Sequence, residues 1–223
     1  MLLAIDTSTR VMGVALYDGE RVVCESVWAS LDHHTVELAP AVNAAMARSG
    51  IGFEDLTALA VASGPGSFTG LRIGMALAKG LALAYHLPII GVPTLDILAA
   101  AQPLAEMPLA ATLQAGRGRL VIGWYQAHQY SWQSIGAIEI LDVHSLSKRI
   151  TQPTLVCGEF TEDERRILSR KRINVRLASP AGSLRRPSYL AELGWRRWTS
   201  GQVDDPATLA PVYLHSALPI PGA

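Results

Sequence analysis

Residues 64–87 read GPGSFTGLRIGMALAKGLALAYHL, a glycine-rich turn that runs directly into a long segment with almost no polar side chains. The charged or titratable members of that segment, Arg72, Lys79 and His86, recur every seven residues. Because an α-helix returns to nearly the same direction after seven residues, these side chains line one narrow ridge. A helix that is apolar on its other sides is covered on more than one face. The stretch therefore predicts a helix over 69–86 that packs on its own sheet and on a second helix or another protein.

Small residues mark one side of this helix. Gly70, Gly74 and Ala78 fall at positions i, i+4 and i+8, where the missing side chains let another backbone approach closely. Glycine inside a helix costs about 0.8–1.0 kcal/mol relative to alanine, so its repeated use indicates a packing demand. Two interpretations stay open: a fully buried core helix, or a helix that meets a partner.

The composition of the 223-residue chain predicts a folded protein of one or two domains, since 49% of the residues are hydrophobic. Nineteen Lys and Arg balance nineteen Asp and Glu. A neutral chain lacks the charge of a protein that binds nucleic acid by itself, so an RNA contact needs a partner or a local patch. No signal peptide or membrane span is predicted, and we expect a cytoplasmic protein with two free, buried thiols, Cys24 and Cys157.

The order of the predicted elements repeats along the chain. The first half predicts three strands followed by alternating helices and strands, at residues 2–5, 13–17, 21–29, 34–48, 59–62, 69–86, 89–92 and 94–101. After a hinge at 103–108 the same order returns, with a third strand at 137–141 and a last helix at 188–198.

This repetition predicts an α/β fold of two lobes, residues 1–103 and 108–223, each built on a βββαβαβα unit. Two related lobes that face a cleft are the architecture of actin-like ATPases and sugar kinases, the ASKHA group with its RNase H-like fold. Such ATPases hold phosphate between two turns, one from each lobe. Asp6, Thr7 and Ser8 are candidates for a vestigial phosphate turn, although residues of these types also satisfy backbone groups in any tight connection. The second turn, at 114–119, has no carboxylate for Mg²⁺.

Other catalytic arrangements find no support in the residue pattern. The glycine-rich turn at Gly64 lacks the Gly-Lys-Ser/Thr ending of a P-loop. It is suited to binding an anion at a helix N-terminus, or Ser67 or Thr69 simply caps the helix. No two of the six histidines have the i, i+4 spacing of a metal-binding helix, and Ser67 has no adjacent base. We predict no catalytic and no metal-binding residue. The pattern Trp195-Arg196-Arg197-Trp198 fits either RNA stacking or packing of the last helix.

Five stretches carry a resemblance to a known family: DTST at 6–9, GPGSFTGLRIG at 64–74, AKGLA at 78–82, GV at 91–92 and PVYL at 211–214. They resemble the TsaB family, also called YeaZ, most strongly over the first half of the chain. The resemblance implies a scaffold and activator that binds TsaD and, with the ATPase TsaE, supports threonylcarbamoyl transfer to adenosine 37 of tRNAs reading ANN codons. It implies no cofactor on this chain alone, ATP and metal on partner subunits, and tRNA contact only through the complex.

The first two helices are the predicted partner interface, which would pair with itself as a homodimer when TsaD is absent. Its residues are His34, Leu38, Val42, Gly70, Ile73, Gly74, Leu77, Ala78 and Leu81. The alternative is an ATP-dependent enzyme of the actin-like superfamily with a degenerate nucleotide cleft. Three positions depart from the family or its paralogue TsaD. Residues 93–98 lack the His-x-x-x-His of TsaD-like proteins, Gln114 stands where relatives have Asp-Ala-Arg, and His215 where they have arginine.

Overall fold

The structure is a computed structural model and describes residues 1–30 and 33–214 of the chain. Its first sheet contains the strands β1 (Leu2–Asp6), β2 (Val11–Tyr17), β3 (Val22–Ala29), β4 (Ala58–Gly64) and β5 (Ile89–Pro93). They lie in the order β3-β2-β1-β4-β5. β1 pairs antiparallel with β2 and parallel with β4, and β2 forms an antiparallel hairpin with β3.

The second sheet repeats this topology. Its strands are β6 (Leu109–Gln114), β7 (Arg119–His128), β8 (Ser131–Ser134), β9 (Glu139–Asp142), β10 (Thr154–Gly158) and β11 (Val175–Leu177). They follow the order β11-β10-β6-β7-β8, with β6 antiparallel to β7 and parallel to β10. The predicted duplicated α/β fold is therefore confirmed. The third strand differs from the prediction: β8 and β9 share one edge of β7. The sequence Ser-Trp-Gln-Ser of β8 lacks the alternation of apolar and polar residues that would predict a strand.

The described helices are α1 (His34–Ser49), α2 (Phe68–Tyr85), α3 (Thr94–Ala100), α4 (Val143–Arg149), α5 (Glu162–Ser169) and α6 (Pro187–Thr199), with 3-10 turns at Phe53–Asp55 and Ala181–Ser183. α1 and α2 cover one face of the first sheet, and α4 and α5 one face of the second. Each of the two remaining helices packs on the sheet of the other half of the chain. α3 follows the strands of the first sheet but packs on the second, and α6 follows those of the second but packs on the first. This arrangement ties the sheets together. The division into lobes at residues 103–108 stays a prediction.

Several alanines lie on the face of the first sheet that α6 covers. Leu3 and Ile5 point to the face that α1 and α2 cover, whereas Ala4 and Ala60 point to α6. A Cβ on Gly194 of α6 would lie only 2.5 Å from the Cβ of Ala60. Small residues on both sides therefore let α6 approach the sheet closely, and burial of the apolar face stabilises that contact.

Aromatic rings fix the last helix to the first sheet. Tyr17 meets Trp195 edge to face with the ring centroids 5.6 Å apart, and Trp195 meets Trp198 at 4.9 Å. Arg197 donates a hydrogen bond to the carbonyl oxygen of Gly91. The packing interpretation of the Trp-Arg-Arg-Trp pattern is thus confirmed for both tryptophans.

Both cysteines are free thiols, but only one is fully buried. Burial raises the pKa of Cys157 to about 12. Cys24 is half-buried, contrary to prediction, because β3 is an edge strand with partial cover. None of the helices in the described ranges has the length and apolar character needed to cross a membrane.

Candidate functional site

The turn after β1 is held together by its own side chains. The Asp6 carboxylate accepts hydrogen bonds from the backbone amide of Ser8 at 2.8 Å and from the Ser8 hydroxyl at 2.6 Å. That hydroxyl also lies 3.0 Å from the hydroxyl of Thr94 at the start of α3. Thr7 donates to the carbonyl oxygen of Gly70 at 2.7 Å. Asp6, Thr7 and Ser8 are all buried, so these residues present almost no open surface.

Arg185, just before α6, fills the space in front of this turn. Its side chain is 1% exposed, and it pairs with Asp6 at 2.9 Å and with Glu159, which follows β10. It also donates to the hydroxyl of Thr9 at 2.7 Å and to the carbonyl oxygen of Val11 at 2.9 Å. The Thr9 hydroxyl donates to Glu159 at 2.7 Å. One guanidinium therefore joins the two halves of the chain and is shared by two carboxylates.

Burial and charge act in opposite directions on Arg185. Burial lowers the pKa of a guanidinium, because the charged form loses its contact with water. The charges of Asp6 and Glu159 outweigh this effect and raise the pKa of Arg185 above its ordinary value. The group stays charged, and the Asp6 carboxylate, a candidate for the vestigial phosphate turn, is already paired with a cation.

The second turn, between β6 and β7, also makes internal contacts. Gln114 donates through its side-chain amide to the Glu164 carboxylate at 2.7 Å and to the carbonyl oxygen of Glu159 at 3.2 Å. Glu164 is buried in the capping box of α5, where it accepts a hydrogen bond from the amide of Thr161. An aspartate at position 114 would lose this donor and repel Glu164, which accounts for the amide. A cavity of about 360 Å³ lies beside Gln114 and Arg185.

The small residues at the start of α2 face the turn after β1. A Cβ on Gly70 would overlap the carbonyl oxygen of Thr7, and one on Gly74 would overlap the Thr7 hydroxyl. Ser67 caps the helix by accepting a hydrogen bond from the amide of Gly70 at 3.2 Å. The capping interpretation of the Gly64 turn is thus confirmed. These glycines let α2 lie close to the rest of its own lobe.

Six of the nine residues predicted for the partner interface are buried inside the chain: His34, Leu38, Val42, Gly70, Gly74 and Ala78. The imidazole Nε2 of His34 lies 3.0 Å from the carbonyl oxygen of Thr9. Ile73, Leu77 and Leu81 are half-buried. The six buried residues hold α1 and α2 on the sheet, so a charged substitution at Gly74 or Ala78 would disturb the fold before it reached a partner.

The outward side of the same two helices carries exposed apolar residues among polar ones. Val36 on α1 is 70% exposed and Leu83 on α2 is 69% exposed. Ala39 on α1 and Ala76 and Gly80 on α2 are exposed as well. A Cβ on Gly80 would meet no atom of the described residues within 4 Å, so none of their contacts explains a glycine at this position of a helix. We call the surface formed by Val36, Ala39, Ala76, Gly80 and Leu83 the outer helical face.

An aromatic cluster joins the start of α2 to the end of the described chain. The guanidinium carbon of Arg72 lies 3.6 Å from the centroid of the Phe68 ring, and Arg72 donates to the Tyr213 hydroxyl at 2.8 Å. The amide of Val212 donates to the carbonyl oxygen of Ser63 at 2.7 Å. The closing segment 211–214 therefore packs against the glycine-rich turn. His215 lies outside the described residues.

The first turn of α3 is the position where TsaD-like proteins carry histidines, and here it makes a hydrogen bond to β7 instead. Asp96 accepts a hydrogen bond from the Tyr125 hydroxyl at 2.7 Å, and burial raises the pKa of Asp96 above its ordinary value. Across residues 1–30 and 33–214, His, Cys, Asp and Glu form no group of three or more that is suited to a metal ion.

Sequence reasoning missed Arg185 and Glu159 as parts of the cleft. Arg185 stands 179 positions from Asp6 and 26 from Glu159. It precedes a proline-initiated helix and belongs to no motif, so no local pattern marks it. The sequence did offer one signal. Asp6 directly follows the apolar strand predicted at 2–5, and a buried carboxylate requires a charged or hydrogen-bonding partner.

Comparison with known proteins gives consistent results. The family model described as "TsaD: tRNA N6-adenosine threonylcarbamoyltransferase" matches residues 28–152. A Bacillus subtilis protein named "tRNA threonylcarbamoyladenosine biosynthesis protein TsaB" is 31% identical to this chain. The alignment has 223 positions and covers 97% of this chain and 94% of that protein.

Two solved structures support the fold. YeaZ from Pseudomonas aeruginosa aligns with a TM-score of 0.77 at 27% identity, over 96% of this chain and 99% of that one. ROK hexokinase from Thermus thermophilus aligns with a TM-score of 0.50 at 11% identity, over 90% of this chain and 99% of that one. The second likeness concerns the fold alone. The predicted two-lobed actin-like and sugar-kinase fold is confirmed.

Proposed function

The chain belongs to the TsaB family, and from that premise we propose that it is the scaffold and activator subunit of the complex that makes N6-threonylcarbamoyladenosine in tRNA. In this proposal it binds TsaD directly, works with TsaE in the complex and meets tRNA through the complex. The complex transfers the threonylcarbamoyl group to adenosine 37 of tRNAs that read ANN codons. The chain itself acts in the cytoplasm and catalyses no step, while ATP and metal act on the partner subunits.

The outer helical face is the observation that carries this proposal. Large exposed apolar surfaces usually mark interaction sites, and Val36 and Leu83 project from neighbouring helices of the same layer. Gly80 strengthens the argument, because a glycine inside a helix costs about 0.8–1.0 kcal/mol relative to alanine. No atom of residues 1–30 and 33–214 would meet a Cβ there, which supports the close approach of a second chain as the reason for this glycine. The proposed interface is therefore the outward side of the two helices, together with the half-buried Ile73, Leu77 and Leu81.

The filled cleft supports a role without catalysis. Arg185 pairs with Asp6 and Glu159 at the turn where the actin-like alternative would need a free carboxylate. The alternative of an ATP-dependent enzyme needs this buried network to open, and no contact of the described residues favours that alternative. Hydrolysis of ATP by the isolated chain, in proportion to its concentration, would contradict the proposal.

Size-exclusion chromatography with light scattering, on the chain alone and mixed with TsaD of the same genome, tests the interface. We expect a homodimer to give way to a complex of one copy of each protein. Leu83→Glu changes an exposed position and is expected to alter the free energy of unfolding by less than about 0.5 kcal/mol. Gly80→Leu should raise that free energy by up to about 1 kcal/mol, because leucine favours a helix interior more than glycine does. Both should abolish the complex with TsaD, because one fills the gap for the partner helix and the other buries an unpaired charge.

Tyr130→Glu is the matched control, since Tyr130 is 93% exposed in the second half of the chain. It should leave the complex intact. Retention of the complex by both interface variants, each with its expected stability, would place the interface elsewhere and overturn the proposal.

A further inference from the structure

The zero net charge of the chain conceals a separation of charge between its halves. Residues 1–108 contain ten Asp and Glu against five Lys and Arg, whereas residues 109–223 contain nine against fourteen. The first half, which carries the outer helical face, is therefore acidic, and the second half is basic by the same amount. A local basic surface is thus available on a neutral protein.

The excess of positive charge gathers at one end of the second sheet. Lys148 and Arg149 end α4, and Arg170, Lys171 and Arg172 follow α5 directly. The Lys171 ammonium donates to the carbonyl oxygens of Ser147 and Ile150, the latter at 2.6 Å, and so holds the second group beside the first. We call these five cations, Lys148, Arg149, Arg170, Lys171 and Arg172, the basic edge.

Three cations of the basic edge are free to meet a ligand. Lys148, Arg170 and Arg172 are exposed and take part in no ion pair within residues 1–30 and 33–214. By contrast, Arg166 on α5 pairs with two acidic residues of its own helix. Cations at a helix C-terminus are stabilised by the helix dipole, an effect confined to the last turn. The dipole accounts for Lys148 and Arg170, but Arg172 lies beyond the last turn of α5.

The position of the basic edge leaves it open in the proposed complex. α4 and α5 end where the parallel strands β10 and β11 begin, so the cations lie at the end of the second sheet opposite the cleft. The outer helical face belongs to the other sheet. A partner bound there leaves the basic edge uncovered. Loop 170–174 also borders a surface hollow of about 440 Å³, over which Ile173 is 84% exposed.

We propose that the basic edge binds the sugar–phosphate backbone of the tRNA that the complex modifies. Guanidinium groups match phosphate oxygens in geometry and charge, and backbone contacts position a nucleic acid without reading its sequence. The inference rests on the proposed function and deepens it, since it gives this subunit a direct contact with the substrate of the complex. The contact holds the body of the RNA while the partner subunit acts on the modified base.

Salt-dependent binding of a transcribed tRNA that reads an ANN codon, measured by fluorescence anisotropy, tests the basic edge. The triple variant Lys148→Gln, Arg170→Gln and Arg172→Gln is compared with wild type, each as the complex with TsaD and as the chain alone. If each cation meets one phosphate, the slope of log K against log salt falls by about 2–3 and affinity at 150 mM salt falls roughly a hundredfold.

The control variant, Arg21→Gln, Arg166→Gln and Arg196→Gln, removes the same charge from exposed positions outside the basic edge. It should keep the wild-type slope. Equal slopes for wild type and the test variant overturn the inference, as does a loss of binding to anionic phospholipid vesicles without any loss of tRNA binding. Light scattering separates the two proposals, because failure of the wild-type chain to join TsaD refutes the proposed function. The RNA slope of the isolated chain then decides the basic edge.

Discussion

Replacement of Arg185 by methionine tests whether the filled cleft holds the two halves of the chain together. Methionine keeps much of the volume of the side chain but leaves Asp6 and Glu159 without a countercharge. Removing one member of a buried ion pair typically destabilises a protein by about 3–5 kcal/mol. In a protein of this size each kcal/mol shifts the melting temperature by about 2–4 °C, so we expect a decrease of about 6–20 °C.

Urea unfolding followed by circular dichroism measures the loss of unfolding free energy, and thermal unfolding measures the decrease in melting temperature. The triple replacement Arg185→Met, Asp6→Asn and Glu159→Gln removes the charges together and should recover most of the loss. A single variant within 1 kcal/mol of wild type at pH 7 would refute the reasoning that this guanidinium is the main link across the cleft.

Two further expectations concern stability. Gly74→Ala places a Cβ on the hydroxyl of Thr7 and should cost about 1–3 kcal/mol of unfolding free energy by chemical denaturation, whereas Gly80→Ala, in open space, should gain up to about 1 kcal/mol; equal effects would contradict the packing argument. Burial raises the pKa of Asp96 despite the hydrogen bond from Tyr125. The folded protein therefore binds this proton more tightly than the unfolded chain, and the stability from Asp96 is present at low pH and lost as the pH rises through the raised value. Asp96→Asn should remove that part of the dependence in urea titrations between pH 4 and 7, and an unchanged dependence would reject it.

The sequence predicted the parts of the fold that local chemistry determines. The short strands, the long helix after Gly64 and the Ser67 cap depend on neighbours within a few residues, and the duplicated order of elements follows from them. The sequence showed the small residues along one side of α2, but not which neighbouring element that side of the helix faces. Gly70 and Gly74 lie against Thr7, a residue on another element, and only the tertiary arrangement decides which neighbour fills a gap on a helix.

The cleft was harder to predict, because its decisive contact is long-range. Asp6 and its turn appeared as candidates, but nothing near Arg185 in sequence marks it as their partner. Likewise, His34 has the position of a surface residue on a helix, yet its imidazole lies on the carbonyl oxygen of Thr9. A polar side chain on a mostly apolar helix can face a partner or satisfy a buried backbone group, and the residue type alone does not separate these outcomes.

The Arg185 network also bears on how an actin-like fold can work as a scaffold. In a nucleotide-driven fold, the ligand shifts the lobes because it binds one arrangement better than another and is then released. Here the cation that bridges the cleft is part of the chain, so its attraction to Asp6 and Glu159 is present at all times and stabilises one arrangement only. A cleft closed in this way gives α1 and α2 a fixed orientation relative to the second sheet. The outer helical face and the basic edge then stand at a constant distance from each other, which is what a subunit requires if it is to hold an enzyme and its RNA substrate in register.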